Sequence, residues 1–286
     1  MSAARYAVIG HPVAHSLSPR IHQAFARQIG IPLEYGTIDC PPEALADHVA
    51  AFATAGGSGL NITLPHKRAA YGLCTELGPT AQRCGVVNTL ARIEGGWRGH
   101  NTDGSGLVRD LTERRRQDLR GRKVLLIGAG GAAHGVAPAL LDAGISALFI
   151  VNRTDARTDA LADSLADPAR VHPRYYEDMD DLGPFDLIIN ATSMGHGQDH
   201  EHGESIPLPG SMVTPRCDVV DLSYGAAAVG FLAWARAAGA DRLFDGLGML
   251  VEQAADSFRI WHGKRPYTEE VYEALRKEFG SPLASG

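Results

Sequence analysis

The segment that most constrains the fold of this chain is a strand-like run, Lys123 to Ile127, that ends directly in Gly128-Ala129-Gly130-Gly131-Ala132-Ala133. A stretch of small residues then reaches Gly144, and Leu148 to Val151 reads as the next strand. Strand, glycines, helix and strand in that order describe a βαβ unit, which needs a parallel sheet. Gly128-x-Gly130-x-x-Ala133 sits where a dinucleotide-binding loop requires it. The glycines permit a tight turn and let the backbone approach a pyrophosphate, and the helix start supplies free N–H groups and a positive dipole end. A purely structural turn is the alternative reading.

The end of the second strand bears on which cofactor fits. A ribose 2′-hydroxyl is bonded by an Asp or Glu about 20 residues beyond the glycines. Here Asn152-Arg153-Thr154 stands there, with Arg157 just beyond. Guanidiniums clamp a 2′-phosphate where a carboxylate repels it, so NADP is expected over NAD. Asp155 inside the loop works against that preference, and solvated arginines are the plain alternative.

Strand and helix signals alternate along the rest. Tyr6 to Ile9 reads as a strand, and a helical pattern from Ser18-Pro19 stops at Gly30. Tyr35 to Ile38 and Gly59 to Thr63 read as strands, and Glu43 to Ala55 as a helix. Asp186 to Ile189 and Val219 to Leu222 are two more strands. The last forty residues look helical, over Leu247 to His262 and Thr268 to Phe279. The fold class expected is α/β, with mostly parallel sheets. At roughly 150 residues per domain, 286 residues suggest about two.

Composition excludes several classes. Lys and Arg total 27 against 33 Asp and Glu, a net charge of −6. Without a basic run, nucleic acid is not an expected partner. Arg114-Arg115-Arg116 is the densest cationic cluster and reads as a solvated helix face. No apolar run approaches the ~20 residues of a membrane span. Met1 to Ile9 lacks the basic and apolar regions of a secretory leader. Cys40, Cys74, Cys84 and Cys217 form no CxxC pair, which fits free thiols in a reducing cytoplasm. His196, His200 and His202 invite a metal, but no flanking helix holds them. A polar loop is expected there, and no metal.

The first hundred residues carry polar groups that packing does not require. Ser16 and Ser18 lie between a strand and a helix, where capping is the simplest role for Ser18. Asn61 and Thr63 alternate onto one side of a strand, and Lys67 follows Pro65. Val87-Asn88-Thr89 and Asn101-Thr102-Asp103-Gly104 add amides and a carboxylate at loop positions. Together these groups suit a small polyhydroxylated substrate.

These segments resemble the shikimate dehydrogenase family over nearly the whole chain. The resemblance rests on Gly10-His-Pro-Val-Ala-His-Ser16-Leu-Ser18-Pro, Asn61-Ile-Thr63-Leu-Pro-His-Lys67, Val87-Asn88-Thr89, Asn101-Thr102-Asp103-Gly104, the glycine loop, Asn152-Arg153-Thr154, Asn190-Ala-Thr-Ser193 and Asp245-Gly246-Leu-Gly-Met249-Leu-Val-Glu-Gln253-Ala. It implies a substrate domain over 1–104, a Rossmann NADP domain over 105–245, and helices over 246–286 that return to the first domain. It implies reduction of 3-dehydroshikimate to shikimate with NADPH, on the route to aromatic amino acids. Lys67 and Asp103 become the catalytic pair. Ser16, Ser18, Thr63, Asn88, Tyr224 and Gln253 hold the substrate. Gly128, Ala129, Gly130, Gly131, Ala132, Asn152, Arg153, Thr154, Arg157, Leu222 and Gly246 hold the cofactor. Three places depart from the family pattern: Gln23 after His22, Tyr224-Gly225-Ala-Ala-Ala-Val229, and His196 to Glu204.

An ammonium near a ketone oxygen stabilises the charge that grows there and can give up a proton. A neighbouring carboxylate favours the charged lysine and burial opposes it. Two other readings compete: an NAD-dependent quinate/shikimate dehydrogenase running in the catabolic direction, and a silent cofactor-binding regulator on the same fold. Arg153 speaks against the first, and the presence of both Lys67 and Asp103 against the second. The sequence leaves the oligomeric state open, a homodimer included.

Overall fold

The computed structural model describes residues 4–192, 208–280 and 283. The His196 to Glu204 loop and Ser193 lie outside the described residues. Among those described, the chain divides into two compact units, Met1–Arg109 with Leu250–Ala274, and Asp110–Met249 with Leu275–Gly286. Residues 105–109 and 250–274 group with the first unit, and 246–249 and 275–286 with the second. Gly248 falls to the second because it lies against the Asp110 carboxylate, where a Cβ would collide.

The first unit is built on six strands: β1 (Ala4–Gly10), β2 (Leu33–Asp39), β3 (Gly57–Ile62), β4 (Glu76–Leu77), β5 (Thr89–Ile93) and β6 (Gly96–His100), in the order β2-β1-β3-β5-β6-β4. The apolar run of β1 is buried because strands pair with it on both sides, each in parallel. Both sheets are mostly parallel, as expected, and in this one a single strand runs against its neighbours. β5 pairs antiparallel with β3 and with β6. The turn at Glu94-Gly95, where Gly95 takes a positive φ of 80°, closes the hairpin of β5 with β6.

Helices α1 (Ser18–Ile29), α2 (Leu45–Thr54), α3 (Lys67–Tyr71), α4 (Pro79–Cys84) and α5 (Asp103–Arg109) connect and flank these strands. One core cluster gathers Ile9, Val49, Leu60, Ile62, Leu90 and Trp97. A second centre is aromatic. His22 of α1 is fully buried and stacks on Tyr35, ring centroids 4.4 Å apart. Phe25, Phe258 and Trp261 surround it.

The second unit holds β7 (Lys123–Ile127), α6 (Gly131–Asp142), β8 (Ala147–Val151), α7 (Asp155–Leu165), β9 (Val171–Arg174), β10 (Leu187–Asn190), β11 (Asp218–Asp221), α8 (Ala226–Ala237) and β12 (Arg242–Phe244). All six strands are parallel, in the order β12-β11-β10-β7-β8-β9. That is the Rossmann order, and its reversal between β7 and β10 is where such sheets bind ligands, beyond the strand carboxyl ends. The short strands β9 and β12 are absent from the sequence reading. Two helices complete the chain, α9 (Leu247–His262) and α10 (Glu269–Phe279).

Of the arginine cluster, Arg116 is exposed as the sequence suggested, but Arg114 and Arg115 turn inward. After α5 the chain makes a π-helical turn, Asp110–Arg114. Asp110 is buried, and Arg114 Nη1 and Arg115 Nε each donate to one of its oxygens at 2.9 Å. A buried carboxylate needs such partners, and it draws two cations inward. Arg115 also lies over the Phe244 ring.

Candidate active site

Lys67 is the first residue of α3. His66 before it is buried, and its Nε2 donates to the Cys40 carbonyl at 2.7 Å. The Lys67 carbonyl accepts from Val87 N at 2.9 Å. With its backbone anchored on both sides, Lys67 directs Nζ to Asp103 Oδ2 at 2.6 Å. The two side chains are 13% and 5% exposed, so the pair is shielded from solvent yet reachable from the lysine side.

The hairpin assembles the rest of this pair's surroundings. Thr89 stands opposite His100 in the register, so Asn88 and residues 101–103 leave the same end of the hairpin side by side. Asn88 Nδ2 donates to Thr102 Oγ1 and to Asp103 Oδ1, each at 2.9 Å. Thr102 N returns a bond to Asn88 Oδ1. Asp103 therefore has one oxygen on Lys67 and the other on Asn88.

Gln253 arrives from α9. Its Oε1 is 3.3 Å from Asn88 Nδ2 and 3.4 Å from Thr102 Oγ1. The approach is close because Gly106 has no side chain: a Cβ there would stand 2.7 Å from Gln253 Cβ. One turn on, Ser257 Oγ bonds Thr89 Oγ1 at 2.7 Å and accepts from Asn61 Nδ2 at 3.0 Å. Tyr35 OH donates to Asn61 Oδ1 at 2.7 Å. The Ser18 hydroxyl lies beside that of Tyr35, whose pKa burial holds well above the usual tyrosine value. A continuous polar chain thus runs from Lys67 to α1.

The sequence-read residues fall into place unevenly. Lys67, Asp103, Asn88 and Gln253 come together directly. Ser18 joins through Tyr35 and is no cap: the cap position is Leu17, whose side chain makes no capping bond. Ser16 accepts from Ser18 N at 3.2 Å. Asn61 turns into the buried network, while the Thr63 methyl packs over Gly10. The sequence does not single out Tyr35 or Ser257. Ser257 stands four residues after Gln253, on the same helix face, a spacing that could have found it.

The glycine loop belongs to the second unit, as do Leu222, Tyr224 and Gly246. Gly128 has φ +107°, and a Cβ there would press on the Ala191 backbone at 3.0 Å. Gly130 precedes α6 with no side-chain cap, and among the described residues nothing lies within 4 Å of where its Cβ would be. The start of α6 thus has no side-chain cap on its first N–H groups, which fits a pyrophosphate. Ala129 N donates to Asn152 Oδ1 at 3.3 Å, tying the loop to the end of β8. Arg153, Thr154 and Arg157 are exposed, as a 2′-phosphate site requires. Arg153 lies close enough to Tyr176 to oppose the rise that burial gives its pKa. Asp155 falls in the first turn of α7, where the helix dipole favours it.

Among the described residues, no group of three His, Cys, Asp or Glu is arranged to hold a metal. No described helix is long and apolar enough to cross a membrane.

Comparison with known proteins agrees with this geometry. The model of the shikimate dehydrogenase substrate binding domain matches residues 8–90. That of shikimate / quinate 5-dehydrogenase matches residues 110–201, and that of the shikimate 5′-dehydrogenase C-terminal domain residues 246–276. The chain is 55% identical over 282 residues to the shikimate dehydrogenase (NADP(+)) of Xylella fastidiosa strain 9a5c, covering 99% of each. It is 57% identical to that of Stenotrophomonas maltophilia strain K279a, covering 99% of this chain and 98% of the other. Among solved structures, shikimate 5-dehydrogenase from Thermus thermophilus, in complex with NADP(H) and shikimate, matches with a TM-score of 0.80. It is 35% identical, over 96% of this chain and 99% of that one.

Proposed function

Because the chain belongs to the shikimate dehydrogenase family, it is an NADP-dependent oxidoreductase acting on a CH–OH group, and we propose that Lys67 and Asp103 carry its chemistry. The reaction is the reversible reduction of 3-dehydroshikimate to shikimate. The observation that carries the assignment is the shielded Lys67–Asp103 pair, held from its far side by Asn88.

NADPH, when bound, supplies the hydride that the ketone carbon takes up. The glycine loop, Asn152, Thr154, Leu222 and Gly246 bind that cofactor, and Arg153 and Arg157 take its 2′-phosphate. On the substrate side, negative charge grows on the ketone oxygen. An ammonium has three donors, and Lys67 directs one to Asp103. Those remaining stabilise the oxygen and deliver its proton. Asp103 cannot swing away, because its other oxygen accepts from Asn88. In the oxidative direction Lys67 Nζ takes the hydroxyl proton back.

Ser16 and Ser18 bind the ring carboxylate with neutral hydroxyls. Thr63, Asn88, Tyr224 and Gln253 bind the remaining oxygens. Free Cys40, Cys74, Cys84 and Cys217 suit the cytoplasm, where we place the enzyme.

Initial rates with shikimate and with quinate, each against NADP and NAD, test the reading. Strong preference for shikimate with NADP supports it. Comparable rates with quinate or NAD would favour the catabolic enzyme. No turnover in folded protein would favour the regulator.

A further inference from the structure

Strands β10 and β11 of the second unit end in matching turns. At the end of β10, Asn190 Oδ1 accepts from Thr192 N at 3.1 Å and from Thr192 Oγ1 at 2.7 Å. At the end of β11, Asp221 Oδ1 accepts from Ser223 N at 2.7 Å. The two turns are tied together, because Asn190 Nδ2 donates to Asp221 Oδ2 at 2.8 Å. Both side chains are fully buried. Each spends its polar atoms on holding the strand ends, a task that packing alone would not set for two buried polar groups.

What rests on these turns matters. Gly128 packs on Ala191 and Thr192, just beyond Asn190. Gly246 N donates to the Ser223 carbonyl at 2.7 Å, and Gly246 is pressed against the Leu222 carbonyl, which leaves no room for a Cβ. Tyr224 follows next in the chain. We infer that Asp221 is a positioning residue: its carboxylate, acting with Asn190, fixes the segment Leu222 to Tyr224 and the floor under the glycine loop. This inference rests on the proposed roles of Leu222, Tyr224, Gly246 and that loop in binding cofactor and substrate. Burial raises the Asp221 pKa to about 6, so the carboxylate is ionised at neutral pH and offers both oxygens. The charged neighbour acting on it is Asp245, itself paired with Arg276.

The chemistry of the pair sets the test. A carboxylate serves two donors with two oxygens, whereas an amide has one oxygen. In D221N, either Ser223 N or Asn190 Nδ2 loses its acceptor. In the exchange N190D/D221N every bond can reform: the carboxylate at position 190 serves Thr192 and the amide at 221, whose oxygen serves Ser223 N. NADP affinity is read by quenching of protein fluorescence, and KM and kcat by turnover, with circular dichroism as the folding check. A buried donor left unserved predicts that D221N weakens NADP binding and raises the KM for shikimate by roughly tenfold. The exchange should return both to within about threefold of the parent.

Y224F, run alongside, separates the two levels. D221N unchanged while Y224F raises the KM would overturn the positioning role alone. Both unchanged would overturn the reading of the segment as part of the site, and the inference with it. A folded exchange variant still tenfold impaired also overturns it, and that measurement stands if D221N alone does not fold.

Discussion

Lowering the pH from 7 to 5 should remove about 2 kcal/mol from the stability of the first unit through His22 alone. The ring is fully buried, and neither nitrogen has a hydrogen-bond partner among the described residues. Burial, and then the nearby His262, pushes its pKa down to about 3; the Asn61 amide acts weakly the other way without reaching either nitrogen in a bond. In the unfolded chain the same ring titrates at its ordinary 6.5. The folded value is depressed, so the unfolded state binds the proton first. The contribution to stability is present above pH 6.5 and is lost as pH falls towards 3. Each pH unit well below 6.5 costs about 1.4 kcal/mol, and between 7 and 5 about one and a half units count.

The assay is urea unfolding at pH 7 and pH 5 for the parent and for H22F, followed by tryptophan fluorescence. Phe keeps an aromatic ring against Tyr35 and cannot take a proton. Other groups titrate in the same window, including His262 and His100, whose pKa values burial lowers, and Asp221. They are common to both proteins, so the quantity read is the difference between parent and variant. It should shift by about 2 kcal/mol in favour of H22F at pH 5. A difference that stays constant to within about 0.5 kcal/mol would falsify the account, and His22 would then be protonated in place or already solvated.

Three further outcomes follow from the site. Lys67→Ala should lower kcat by roughly 10²–10⁴-fold while NADP affinity stays within about twofold, measured by turnover and by fluorescence titration. Arg153→Ala should raise the KM for NADP by about tenfold and leave that for NAD unchanged, since only the former offers a 2′-phosphate for a charge-assisted bond. Gly106→Ala should cost about 1–3 kcal/mol in unfolding experiments, because its Cβ would meet the α9 backbone, and the KM for shikimate should rise as Gln253 shifts.

The second unit was the more legible half. Lys123–Ile127 and its glycines are contiguous, so local pattern sufficed for β7, the loop and α6. The short strands β9 and β12 escaped because three or four residues carry no periodicity, and pairing with neighbours alone makes them strands. In the first unit the site's residue types were visible, but not what gathers them. Asn88 and Asp103 read as loop residues until the hairpin between them places both at one end. Tyr35 gave no signal, since a tyrosine in a strand reads as packing until its hydroxyl is seen to bond Asn61. The arginine cluster misled for a related reason. Asp110, four and five residues before Arg114 and Arg115, is an ordinary acid until burial demands cations around it.

The first unit is made of two stretches separated by most of the second, Asp110–Met249. On the ribosome, its strands emerge long before Gln253 and Ser257, which serve Asn61, Asn88 and Thr102, and before Phe258 and Trp261, which close over His22. The second unit has nearly all its residues by Met249 and can fold while the first waits. Vectorial synthesis thus leaves the earliest-made half open until α9 emerges, and a nascent chain stalled before α9 carries an open aromatic centre and unserved amides.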